Sequence, residues 1–164
     1  MSSSEKIFNP FRKFAWLAAL VALVGFGDAI YLTVKHYTAA PVPCNILEGC
    51  EMVLTSAYAT LSGISMVVFG MEPGSVPAIP LSLLGALGYL SAIALAILAA
   101  LGRRWAWTLF ALQTVFMAAF SIWLIYLQAA VIGAFCQFCL LSAGVSFTLF
   151  FIALLSFVLT RRKV

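Results

Sequence analysis

The stretch IPLSLLGALGYLSAIALAILAAL (residues 79–101), followed by Gly102-Arg103-Arg104 and then WAWTLFALQTVFMAAFSIWLIYL (residues 105–127), decides the architecture. Neither run contains a charged residue, and each exceeds the ~20 apolar residues that a helix needs to cross a hydrocarbon core about 30 Å thick. Only the short basic link separates them, so they form a helical hairpin within a bilayer. Working outward, residues 14–34 and 136–159 meet the same criterion, which gives four spans. Apolar residues make up 65% of the 164 and charged ones 9%, more apolar surface than a water-soluble domain of this size can bury. The expected fold class is therefore an all-α integral membrane protein. One domain, residues 1–164, should form a four-transmembrane-helix bundle.

The nine Lys and Arg fix an orientation. With alternating spans, Lys6, Arg12, Lys13, Arg103, Arg104, Arg161, Arg162 and Lys163 fall on one side, and Lys35 alone falls on the other. The positive-inside rule then places both termini in the cytosol of a multi-pass plasma-membrane or inner-membrane protein. The net charge of +4 is spread over three short flanks rather than gathered on one face, so it indicates membrane orientation and not a nucleic-acid partner. The first span is too long for a signal-peptide core and is expected to remain as an anchor. Trp16, Trp105 and Trp107 near the cytosolic ends, and Tyr37 and Tyr126 near the outer ends, suit interfacial belts. Ala92, Ala96 and Ala100 recur every four residues, a small-residue face for close helix packing.

The stretch 36–78 is expected to form an extracytoplasmic cap with a short interfacial helix. Pro41 and Pro43 extend the chain, Gly49 permits a turn, residues 51–61 are helix-compatible, and the apolar patch 64–71 is too short to span. Pro73-Gly74 should close the cap with a turn.

Reactive chemistry is concentrated in four cysteines, Cys44, Cys50, Cys136 and Cys139. All four converge on the extracytoplasmic side, where disulfides persist. Cys136-Gln137-Phe138-Cys139 is expected to open the fourth helix, with both sulfurs on one face. Free N–H groups and the helix dipole there lower a thiol's pKa from about 8.5 into a reactive range. Phe135 and Phe138 surround this pair with apolar rings, which suits a planar, membrane-dissolved redox partner. Cys44 and Cys50 bound a short loop whose mobility would let it exchange with thiols of a partner and with Cys136. Two structural disulfides in a non-catalytic scaffold or carrier are the alternative. A zinc site is disfavoured by the five residues between Cys44 and Cys50, since structural zinc prefers two to four, and no metal is expected.

Asp28 lies about 9 Å inside the outer end of the first span at 1.5 Å per residue. At that depth an ionisable side chain costs about 2.5–3.5 kcal/mol on insertion scales, so it should face the bundle interior, with proton handling as its functional reading. Ser56 is a candidate for a hydrogen bond in the cap. His36 is the sole histidine and is expected to be a solvated interfacial residue.

A cysteine loop after the first span, Thr55-Ser56-Ala57-Tyr58-Ala59-Thr60 beyond it, and a Cys-x-x-Cys opening the last helix together resemble the vitamin K epoxide reductase family over residues 14–160. The order of the cysteine pairs is the reverse of that in DsbB-type oxidases. The resemblance implies a four-helix bundle around a quinone of ubiquinone or menaquinone type. It also implies a relay: a separate thioredoxin-like or DsbA-like partner forms a mixed disulfide with Cys44, Cys50 attacks Cys136, and Cys139 passes electrons to the quinone. Cys139, Phe135, Phe138, Ser56 and Asp28 are the expected quinone-side residues. Vertebrate members place Asn and Tyr where Leu81 and Ala143 stand, so their hydrogen bonds, and epoxide reduction with them, do not carry over.

Overall fold

A computed structural model of the chain describes residues 3–44, 49–72 and 75–161, with side chains for those between 12 and 159. The tip of the cysteine loop (45–48) and the expected Pro73-Gly74 turn lie outside the described residues. Helix α1 runs Ser3–Thr38, α2 Cys50–Leu54, α3 Leu61–Phe69, α4 Leu81–Ala100, α5 Arg104–Tyr126 and α6 Gln137–Arg161. Among the described residues there is no strand, only an isolated bridge between Thr60 and Pro80. Four helices are long and apolar enough to cross a membrane, over Arg12–Thr38, Leu81–Ala100, Arg104–Ile132 and Gln137–Leu159. The chain is an all-helical, multi-pass membrane protein.

The long helices form a ring, α1 against α4, α4 against α5, α5 against α6 and α6 back against α1. Small residues line its interior. Ala15, Ala18 and Ala22 of α1 and Ala92, Ala96 and Ala99 of α4 are completely buried, so backbones approach closely and gain the dispersion contacts that must replace a hydrophobic driving force inside lipid. Outward-facing Leu, Val and Phe side chains, such as Leu20, Leu112 and Phe116, are exposed as a lipid-facing surface requires.

Polar pins, from buried to exposed, tie the helices of this apolar bundle together. The Tyr89 hydroxyl on α4 lies 2.7 Å from the Ser142 carbonyl oxygen, 2.9 Å from Ser142 Oγ and 3.0 Å from Ser146 Oγ, tying α4 to α6 across the ring. Thr33 on α1 meets Ser82 on α4 at 2.9 Å. Gln113 on α5 donates to the Gly88 carbonyl at 2.7 Å and to Ser91 Oγ at 2.6 Å on α4.

Several boundaries differ from the sequence-based expectation. Helix α1 continues past residue 34 to Thr38, where Ala39 turns left-handed (φ 49°) and the N–H groups of Ala39 and Ala40 bond back to His36 and Lys35, closing the helix as a C-terminal cap does. Helix α4 starts at Leu81 rather than residue 79, because Pro80 is extended and the Ile79 carbonyl accepts from the Leu61 N–H at 2.8 Å. Helix α5 does not stop at residue 127. It widens into a π-helical turn, Leu127–Ile132, ended by Gly133 with φ 71°, a conformation that only glycine adopts without steric cost. The cap is more broken than expected, comprising α2, a 3-10 turn at Ala57–Ala59, and α3. Trp107 turns inward, 8% exposed and stacked on Phe110 at 4.8 Å, unlike Trp16 and Trp105, which stay exposed.

Candidate active site

The antiparallel ring brings the C-terminal end of α1, the N-terminal end of α4, the C-terminal end of α5 and the N-terminal end of α6 together, and all four cysteines lie there. Cys50, Val53 and Cys136 form a buried cluster, with Cys44, Leu54, Ile132, Ala134, Phe138 and Cys139 packed against it. Cys50 and Cys136 are both completely buried. The two pairs, with 85 residues between Cys50 and Cys136, therefore share one apolar cluster.

Cys44 and Cys50 are joined in a disulfide with their Cα atoms 6.2 Å apart. Cys136 and Cys139 are free thiols. The bridge is held against the second pair by close backbone approach. A Cβ on Gly49 would lie 2.8 Å from the Phe135 carbonyl oxygen and 2.9 Å from both the Phe135 nitrogen and Ala134 Cβ. Only a residue without a side chain lets the loop lie this close to the segment that leads into Cys136. On the other flank, Gln137 Nε2 donates to the Pro43 carbonyl at 3.3 Å, and Lys35 Nζ donates to the Pro41 carbonyl at 3.0 Å.

Cys136 opens the fourth helix as its capping residue, one position before the first helical residue. Helix α6 begins at Gln137, and the Leu140 N–H donates to the Cys136 carbonyl at 3.0 Å, the bond that defines a capping residue. The Cys136 thiol is held below the ordinary range, at about 7. The hydrogen bond from the Cys139 thiol is the main cause; burial and the nearby Asp28 charge oppose it, while the Cys139 and Phe138 backbone N–H groups reinforce it. A sulfur in place of the usual oxygen cap collects the unpaired N–H groups and the positive end of the helix. These contacts favour the thiolate form of Cys136.

The remaining expected residues separate. Phe138 joins the cluster, and its ring meets Tyr31 of α1 at 5.4 Å. Phe135 contributes backbone to the Gly49 contact, while its ring is exposed. Ser56 donates to the Val53 carbonyl at 2.7 Å, finishing the last turn of α2. Asp28 has one carboxylate oxygen, Oδ2, buried without a hydrogen-bond partner. His36 is exposed and touches only Tyr37 edge-on among the ring contacts, at 5.8 Å.

Three contributors escape a sequence reading. Tyr31 lies one helical turn beyond Asp28, and Lys35 a further turn on, its ammonium 5.7 Å from the Tyr31 ring centroid. The i, i+3 and i, i+4 spacing that aligns them on one face was the available signal. Gln128 is 97% buried, and its Oε1 accepts the Cys136 N–H at 2.8 Å. At the end of an apolar span a glutamine looks interfacial, and nothing local marks this bond. With four spanning helices, a bridged and an open cysteine pair in contact, and a match to the sequence model of the family over residues 16–154, the chain belongs to the Vitamin K epoxide reductase family.

Proposed function

We propose that this membrane oxidoreductase oxidises the dithiol of a thioredoxin-like or DsbA-like partner and passes the electrons to a lipid-soluble quinone of ubiquinone or menaquinone type, so supporting disulfide formation in exported proteins. The observation that carries this reading is the shared chamber of the two cysteine pairs, one bridged and one open. A pair of purely structural disulfides gives no reason for the second pair to stay open. The charge asymmetry supports cytosolic termini and an extracytoplasmic chamber.

The electron balance runs through four thiol–disulfide steps. A partner thiolate attacks Cys44 Sγ, forms a mixed disulfide and releases the Cys50 thiolate; the partner's second thiolate then attacks its own sulfur, leaves oxidised, and frees Cys44. Cys50 attacks Cys136 Sγ of the closed inner pair and expels Cys139. Cys44 attacks Cys50 Sγ, restores the outer bridge and expels Cys136 as thiolate, the step that the low thiol pKa of Cys136 favours. The outcome is the arrangement in this structure, outer pair bridged and inner pair reduced. Cys136 and Cys139 then close, and their two electrons and two protons reduce the quinone to quinol.

Residues around the inner pair suit a flat apolar acceptor. Phe138 and Tyr31 supply ring faces beside Cys139, and Asp28 offers an unpartnered buried oxygen able to hold or relay a proton. Phe135, with its outward ring, fits the lipid-side entry, and Ser56 belongs to the wall formed by α2. Quinol formation by the purified protein with a reduced thioredoxin-like donor tests the reading. Turnover should fall to background in both Cys136→Ala and Cys139→Ala, and activity surviving either change overturns the relay.

A further inference from the structure

We infer that Gln128 is a positioning residue that holds Cys136 in reach of the Cys44–Cys50 bridge. This rests on the thiol relay proposed above but concerns only the exchange between the two pairs. Gln128 grips the corner between α5 and α6 twice. Its own carbonyl accepts the Ala134 N–H at 3.2 Å, and its side-chain Oε1 accepts the Cys136 N–H at 2.8 Å, buried from solvent. Together the two bonds clamp the turn from Gly133 to Cys136.

That turn carries both surfaces on which exchange depends. The Ala134–Phe135 backbone is the platform against which Gly49 docks, and Cys136 is the sulfur that shares the buried cluster with Cys50. The π-helical turn of Leu127–Ile132 places Gln128 under the corner, and π-turns are frequent where side chains must be aimed. A buried N–H with no acceptor is costly, so without the Gln128 oxygen the corner must shift to find another. Any shift moves the Cys136 sulfur relative to Cys50. The interchange at stake is balanced and local: the Cys136 thiolate attacks Cys50 Sγ, the Cys50–Cys136 bond forms, the Cys44–Cys50 bond breaks, and Cys44 leaves as thiolate, or the same events run in reverse.

The test isolates that contact from quinone and partner. In a Cys44→Ser, Cys139→Ser background, only Cys50 and Cys136 remain, and the rate at which diamide closes them into a disulfide reports their mutual placement. Gln128→Met should slow closure about tenfold or more, as expected when a buried acceptor is removed. Gln128→Glu, which retains an acceptor oxygen in either protonation state, should close near the parent rate. Gln128→Asn, whose amide is one methylene short, should resemble Met and serves if the Met variant does not fold. In the chain with all four cysteines, the pH midpoint for alkylation of Cys136, a thiol held below the ordinary range by the Cys139 thiol and backbone N–H groups, should rise in Gln128→Asn as the sulfur loses its N–H partners. The midpoint is read below the onset of thermal unfolding of the variant, since unfolded chains would titrate at the ordinary thiol pKa of about 8.5. Parent-like closure in both the Met and Asn variants overturns the inference, even if quinol turnover is robust. A parent that forms no quinol yet closes Cys50–Cys136 in a Gln128-dependent way overturns the quinone leg of the relay and leaves the role of Gln128 standing.

Discussion

The alanine seam between α1 and α4 and the corner between α5 and α6 solve opposite problems with opposite materials. Along the seam, Ala15, Ala18 and Ala22 share one apolar cluster with Ala92, Ala96 and Ala99, all completely buried, and none of these six carries a polar or reactive group. At the corner, the helix widens, reverses through Gly133, and buries a glutamine, a backbone N–H and a thiol within a few residues. The seam is stable because it is repetitive, since each small side chain makes the same close approach possible. The corner is specific because it is irregular: each group there has one partner in one place. Disturbing the seam should therefore weaken the protein without changing its chemistry, and disturbing the corner should do the reverse.

The strongest way to press that comparison is a change that leaves packing almost intact. Asp28→Asn alters one buried polar group near the inner pair; if it supplies a proton to the quinone, turnover should fall by about 100-fold or more, the range of general acid catalysis. The rate of exchange between the cysteine pairs, measured without quinone, should change far less, because the Asp28 charge is the smallest of the influences on the Cys136 thiol. Equal quinol formation by the two proteins across pH removes Asp28 from the mechanism.

Gly49→Ala comes next. The added methyl must displace the Phe135 backbone, which lies 2.8 Å from the Cβ position, so the bridge moves away from Cys136. A misplacement of about 1 Å at reacting atoms costs about 100-fold in rate, read as slower exchange between Cys50 and Cys136 with the thermal midpoint little changed. An unaltered rate would mean that the loop reaches Cys136 by another approach.

The smallest effect on chemistry should come from the seam. Ala96→Leu inserts three methyl or methylene-sized groups where exposure is zero, and overpacking of this kind costs about 1–3 kcal/mol. In detergent its unfolding midpoint should drop, while quinol turnover per folded molecule stays near wild type. A large fall in specific activity would show that the seam, too, aims the site.

The same contrast explains what the sequence reveals. Residues 79–101 and 105–127 announce two spans through length and lack of charge, and Ala92, Ala96 and Ala100 announce a packing face through their period of four, because both signals repeat. The four cysteines announce chemistry by residue type. Their contact is foreshadowed by alternation of the spans, which puts residues 44–50 and 136–139 at one end. The rest depends on single, non-repeating bonds. Gln128 meets Cys136 across eight residues through a π-turn, Tyr31 meets Phe138 across more than a hundred residues of sequence, and Trp107 chooses Phe110 over the interface. Composition and periodicity carry no trace of such pairings.

Lys35 is the one lysine or arginine at the cysteine end of the bundle, and it is held there by two contacts. Its ammonium spans from the π-face of Tyr31 to the carbonyl of Pro41, joining the top of a spanning helix to the extended segment that leads to Cys44. A cation that would otherwise weaken the topological signal is thereby recruited as a strut. Were Lys35 neutral, the charge bias between the two ends of the bundle would be complete, but the extended segment leading to Cys44 would lose its tie to the first helix.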